Sequence, residues 1–297
     1  MRPYEWMIEH TPQKEWIERQ GLLVWLAFFF IELGAGAFLI SSFFRCLLGM
    51  VLGWLVCAVL GGGLHLLYLG HPLRSWRILV SSGWKSSWIS RGLYFVVFFL
   101  VLGAIRLILN RWWGSSAFGL MIATDIFAFL TMIYGGLAMS YVHGIPLWNS
   151  GLLPVLFGMA GLWGGAGVTL LTMIGTGRTA RSGVEELAWI FLGSYVFLVI
   201  VYLMSATYRG TVGKFSVREM ITGRWASIFW VVVVGLGMAL PLGVTITNLA
   251  VGFISIPPAL LSTIIIFELI GDLSLRYCIW RSGFYSPLVS SLVAGSK

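Results

Sequence analysis

Eight stretches of about twenty apolar residues run along the chain, each long enough to cross roughly 30 Å of hydrocarbon as an α-helix. They fall at 21–44, 46–70, 92–110, 117–142, 151–175, 186–207, 225–250 and 256–280. In lipid every backbone N–H and C=O must be satisfied internally, so only helices or a closed barrel can span. The stretches show no period-2 alternation, which selects helices over a barrel. The predicted class is an all-α integral membrane protein with about eight transmembrane helices in two packed four-helix bundles. Composition agrees. Of 297 residues, 59% are hydrophobic and only 10% are charged, against roughly 25% in a soluble domain. That is too little charge to cover a water-soluble fold. A cytosolic enzyme, a nucleic-acid binder and a disordered regulator are thereby excluded.

The whole chain, 1–297, reads as one polytopic membrane domain. Residues 1–20 set Trp6, Ile8, Trp16 and Ile17 among charges, as an amphipathic segment lying on the membrane does. The first four spans occupy 21–142 and the second four 151–280. Glu5, Glu9, Glu15 and Glu18 do not fit the positive n-region of a signal peptide, so none is expected. Cys46, Cys57 and Cys278 are isolated, with no CxxC. Neither an iron–sulfur cluster nor a structural zinc is encoded in this chain.

Lysine and arginine are unevenly distributed. Fourteen fall with the N-terminal segment, the 71–91 and 208–224 loops and the C-terminal end, and five fall on the opposite side. The positive-inside rule puts the basic face, with both termini, in the cytoplasm. A net charge of +8 reports lipid headgroups, topology and an acidic partner rather than nucleic acid.

Ionisable groups inside a bilayer are costly and mark function or interhelical pairing. Glu32, Asp125 and Glu268 are the candidates for a proton pathway; polar structural packing is the other reading. Asp272 and Arg276 read as a simple i,i+4 pair. Arg106, near a span end, reads as snorkelling to the interface. Of the four histidines only His65 lies inside a span, so two stacked haems cannot be held and no haem is expected. Aromatic and hydrogen-bonding groups collect at the basic face: His65 and Tyr68 near the end of the second span with His71 just beyond it, Tyr134 and Tyr141 on the fourth, and Arg74 and Trp88 in the loop between the second and third. A quinone site needs an apolar slot and one or two donors, and the first four spans can supply both. An ordinary interfacial aromatic belt is the alternative.

Several motifs carry a family resemblance. They are Glu32-Leu33-Gly34-Ala35-Gly36-Ala37-Phe38, Leu69-Gly70-His71-Pro72-Leu73-Arg74-Ser75-Trp76, Ser87-Trp88-Ile89-Ser90-Arg91-Gly92, Tyr134-Gly135-Gly136-Leu137 and Pro146-Leu147-Trp148-Asn149. The segment from Leu152 to Phe157, and later Leu275-Arg276-Tyr277 and Gly283, extend it. The chain resembles the NrfD/polysulfide-reductase type of membrane subunit, related to the dimethyl-sulfoxide-reductase anchor. The resemblance implies a haem-free subunit of a bacterial or archaeal cytoplasmic membrane that exchanges electrons with the quinone pool, menaquinone or ubiquinone. It implies a ferredoxin-like [4Fe-4S] partner and, through it, a molybdopterin-type catalytic subunit; the iron–sulfur clusters sit in the partner. By the same resemblance Tyr134 falls beside the quinone headgroup, with His65 and His71 as its neighbours; Tyr68, Arg74 and Trp88, gathered at the same face, complete the candidate quinone-binding set. Some quinone-reactive members carry Asn and His before the glycine motif of the first span; here Val24 to Phe28 offer no such donor. A headgroup would then be held differently, by His65 or His10. A pure membrane anchor for redox subunits and a secondary transporter are the rival readings.

Overall fold

The computed structural model describes residues 21–68, 74–80, 85, 87–114, 117–177, 182–251 and 256–286. The predicted amphipathic segment 1–20 lies outside the described residues. Every regular element among them is helical: α1 Gly21–Phe43, α2 Leu47–Tyr68, α3 Trp76–Val80, α4 Trp88–Trp113, α5 Phe118–Ser140, α6 Leu152–Gly175, α7 Ser182–Tyr208, α8 Thr211–Ile221, α9 Ile228–Ala250 and α10 Pro258–Arg281. Eight of these, all but α3 and α8, are long and apolar enough to cross a membrane. They coincide with the eight stretches read from sequence. The short helices fall where the sequence shows only polar loops. α8 is amphipathic, with Gly213, Ser216, Val217 and Met220 buried and Lys214, Phe215 and Arg218 exposed, and a helix of that kind needs no long apolar run.

The spans form two four-helix groups. α1, α2, α4 and α5 pack in a ring, and α6, α7, α9 and α10 make the second group. The groups meet where α1 and α5 pack against α6, and where α1 touches α10. α1 and α6 are the most enclosed spans. In lipid no hydrophobic force draws helices together, so close approach of backbones carries the association. Gly36 and Gly161 supply it: a Cβ at Gly36 would fall on the Gly161 carbonyl.

The nearly charge-free connection between α5 and α6 is a plug. Ile145, Leu147 and Trp148 are buried. The Trp148 indole donates to the Ile279 carbonyl at 2.9 Å, and the Tyr202 hydroxyl to the Leu147 carbonyl at 2.7 Å. Ser286 N–H closes the C-terminal end onto Gly144 O at 2.8 Å. The motif around Pro146 thus seals the two groups at the basic face.

Two spans are not uniformly α-helical. α2 is π-wound from Val56 to Gly62, and α9 from Ile228 to Ala239, just before Pro241. A π turn carries one surplus residue in the helix.

Substituting Gly36 by Val is expected to destabilise the fold by about 1–3 kcal/mol through overpacking. Thermal melting of the purified protein in detergent checks this, and an unchanged midpoint would contradict the crossing.

Candidate functional site: a cavity in the first helix group

At the basic end of the first group, α1, α2, α4 and α5 enclose a cavity of about 470 Å³. This lies within the size range of small-molecule sites. Its position follows from helix direction: α1 and α4 begin at this end, while α2 and α5 finish there. The lining is largely apolar and aromatic, with Phe28, Trp76, Trp148 and Trp280 among the rings. Four polar residues, His65, Tyr68, Ser75 and Tyr134, also line it.

Tyr134 and His65 form its polar core. Tyr134 is 2% exposed. Its hydroxyl lies 3.4 Å from His65 Nε2, and Phe28 packs edge-on against the Tyr134 ring, with centroids 5.4 Å apart. Gly92 of α4 also lies against that ring; a Cβ there would overlap it. The second ring nitrogen of His65, Nδ1, is enclosed and has no hydrogen-bond partner among the described residues. A buried polar atom left unpaired is costly, and His65 itself lines the cavity.

Other predicted residues fall differently. Tyr68 lines the cavity. Arg74 is exposed and Trp88, half-buried, carries the Arg91 guanidinium 4.7 Å above its ring; neither is among the lining residues. His71 and His10 lie outside the described residues. Sequence reasoning missed Phe28, Trp148 and Trp280 as lining residues; Trp148 stood only within a family motif, and four-residue spacing from Glu32 and from Arg276 is the only trace that Phe28 and Trp280 leave.

Three of the intramembrane carboxylates, Glu32, Asp125 and Asp272, are paired with arginines. Arg276 donates Nη1 to Glu32 Oε2 at 2.6 Å and Nη2 to Glu32 Oε1, a bidentate grip between α10 and α1. Its Nε donates to Asp272 Oδ2 at 2.9 Å, and the Tyr195 hydroxyl donates to Asp272 Oδ1 at 2.7 Å. The guanidinium lies 4.3 Å over the Phe157 ring. The i,i+4 pair expected from sequence is present, with Glu32 as an added partner. Arg106 corrects the sequence reading. It does not snorkel; it is 2% exposed and donates to Asp125 Oδ1 at 2.6 Å and to Ser42 Oγ at 2.5 Å. The carboxylate was within reach, so pairing replaced the longer path to the interface. Glu32 and Asp125, which look unpaired in sequence, are both engaged. The two clusters are not brought together: Glu32 and Ser42 are ten residues apart on α1, about 15 Å at helical rise. Glu268, half-buried, stands one turn before Asp272, beside Trp163.

A family model described as "Polysulphide reductase, NrfD" matches residues 7–286. The chain belongs to the NrfD family. The C chain of polysulfide reductase from Wolinella succinogenes is 26% identical over 213 aligned positions, covering 61% of this chain and 65% of that protein. Protein NrfD of Escherichia coli K12 is 29% identical over 126 positions, covering 39% of each. This NrfD-family chain therefore spans about 65% of the length of one relative and less of the other.

Removing one partner of a buried ion pair costs about 3–5 kcal/mol. Arg276→Gln leaves two carboxylates facing each other and is expected to lower the melting midpoint far more than Glu32→Gln, which leaves the Asp272–Arg276 pair. Equal midpoints for the two variants would refute the cluster's role.

Proposed function

We propose that this chain is the quinone- or quinol-reactive integral membrane subunit of a multi-subunit oxidoreductase. The headgroup lies in the α1/α2/α4/α5 cavity against Tyr134 and His65. One observation carries this reading: an aromatic slot whose buried wall holds a tyrosine hydroxyl beside a histidine with an unpartnered ring nitrogen. A flat dicarbonyl ring needs those features. Menaquinone and ubiquinone share them.

The bound quinone supplies two-electron, two-proton redox chemistry. The chain's residues supply the rest. The Tyr134 hydroxyl donates to a carbonyl oxygen. His65 Nδ1 serves the ligand, while Nε2 stands beside the Tyr134 oxygen and holds its orientation. Phe28, Trp148 and Trp280 exclude water from the inner wall. In this reading protons arrive from the basic face, where Tyr68 and Ser75 line the cavity. A path from the opposite face through Glu32, Asp125 and Glu268 requires two ion pairs to open, and their geometry favours ionic glue.

Electrons come from, or go to, a ferredoxin-like [4Fe-4S] subunit wired to a molybdopterin-type catalytic subunit. The Wolinella relative is by name one of several chains of a polysulfide reductase, which supports a multi-subunit setting. Exposed Arg74, Arg77, Lys214 and Arg218 at the basic face suit an acidic partner. We place the chain in a prokaryotic cytoplasmic membrane with that face inside. A pure anchor needs no enclosed aromatic cavity lined by a buried tyrosine–histidine pair, which sets that reading second.

Tyr134→Phe is expected to lower quinone-dependent electron flow by about 100-fold, the scale of a lost proton donor, while iron and partner subunits still co-purify. Steady-state turnover of the intact complex with a quinol analogue measures this; unchanged turnover would overturn the assignment.

A further inference from the structure

The second helix group carries a cluster of cations and aromatic rings at the basic face, away from the cavity. Residues 222–227 join α8 to α9, and Trp225 stands half-buried in that turn. Two arginines attend its ring. The Arg224 guanidinium lies 5.2 Å from the ring centre, and that of Arg281, the last residue of α10, lies 5.5 Å from it. Tyr277 meets the same ring edge-on at 5.4 Å and accepts a hydrogen bond from Arg281 Nε at 3.1 Å. Trp25 of α1 packs on Tyr277 at 5.3 Å. Three rings from α1, α10 and the turn before α9 thus make one platform. Arg224 is exposed, and its guanidinium has no carboxylate partner among the described residues. The nearby Glu219 carboxylate instead accepts the Arg224 backbone N–H at 3.1 Å. A guanidinium held by an aromatic face keeps N–H donors for an oxyanion. Apolar surface begins directly beyond. Trp230 and Val231 are exposed on a membrane-spanning helix, and the Trp230 indole reaches back to the Ile221 carbonyl at 2.8 Å. From Arg224 to Val231 is seven residues, about 10 Å at helical rise.

We propose that this platform is a binding site for an anionic phospholipid. The phosphodiester lies against Arg224 and Arg281, and an acyl chain runs down α9 past Trp230 and Val231. The proposal is independent of the quinone reading. Charge complementarity fixes the sign of the headgroup: two guanidinium groups on one patch attract a phosphate and disfavour the added ammonium or choline cation of a zwitterionic lipid. Continuity fixes the kind of ligand. The cationic patch and the lipid-exposed rings adjoin, at the level where aromatic side chains sit between headgroups and hydrocarbon. A soluble anion uses only the first of these surfaces, and a phospholipid uses both.

The test uses the intact complex in nanodiscs. Phosphatidylglycerol and phosphatidylcholine probes, each with a diazirine near the ester end of one acyl chain, are irradiated at equal mole fraction. Labelled peptides are mapped by mass spectrometry. Phosphatidylglycerol is expected to label 224–231 and 277–281 about fivefold or more above phosphatidylcholine, the scale of one arginine near an anionic headgroup. Equal labelling by the two probes would overturn the proposal, and this wild-type comparison decides the site without any variant. Arg224→Gln, at an exposed position, is expected to bring phosphatidylglycerol labelling down about fivefold. Lys214→Gln removes the same charge from the exposed face of α8 and is expected to leave that labelling unchanged. Equal loss in both variants would show diffuse attraction to the basic face and overturn the site. Excess glycerol 3-phosphate is expected not to compete; loss of labelling in its presence would assign the platform to a soluble phosphate and overturn the lipid.

Discussion

α1 can touch α6 so closely only because glycines face each other at Gly36 and Gly161. That contact puts α1 at the centre, with helices of both groups around it, and its ridge of positions spaced by four organises the molecule. Val24 and Phe28 form cavity wall, Glu32 enters the Arg276 cluster, and Gly36 makes the crossing. Further on, Ser42 joins Arg106 and Asp125. A shift of α1 by a single turn would move the cavity wall and the ionic clasp together.

The clasp illustrates how low dielectric turns a liability into specificity. One guanidinium serves two carboxylates, and a tyrosine hydroxyl takes the remaining oxygen of Asp272. Each acceptor is met by a donor, the condition under which buried charge is tolerable. Trp280 follows Arg276 by one turn and lines the cavity, while Phe28 precedes Glu32 by one turn. The charges therefore fix the two elements that bring Phe28 and Trp280 to within 6.0 Å, ring to ring. The second group of helices thus contributes a wall to a site otherwise built from the first.

The eight spans were legible because spanning length and hydropathy are local properties. Tyr134 and His65 stood out as polar groups near the ends of apolar runs, and the structure places them side by side. Partners far apart in sequence were not legible: Glu32 and Arg276 are 244 residues apart, and no periodicity links them. Arg106 was misread because a position near a span end suggests an exposed guanidinium, and only the fold shows Asp125 within reach. Arg74 and Trp88 were grouped with the site by nearness in the chain, whereas α4 begins at Trp88 and faces its interior with Gly92, Leu93 and Val96. The π turns of α2 left no readable mark beyond a cluster of glycines.

Those π turns set the phase of everything after them. Their surplus residue sets the end of α2 back by about 100° relative to an unbroken α-helix of the same sequence. His65 meets Tyr134 across the cavity in that phase. Winding the stretch between Val56 and Gly62 as plain α-helix with every residue kept would turn the imidazole away from the cavity and present a leucine in its place. Loss of one residue there would instead remove the surplus, restore α winding and leave the imidazole facing Tyr134. Among relatives, a missing residue in that stretch is thus the mark of a straightened helix that keeps the same face towards the site.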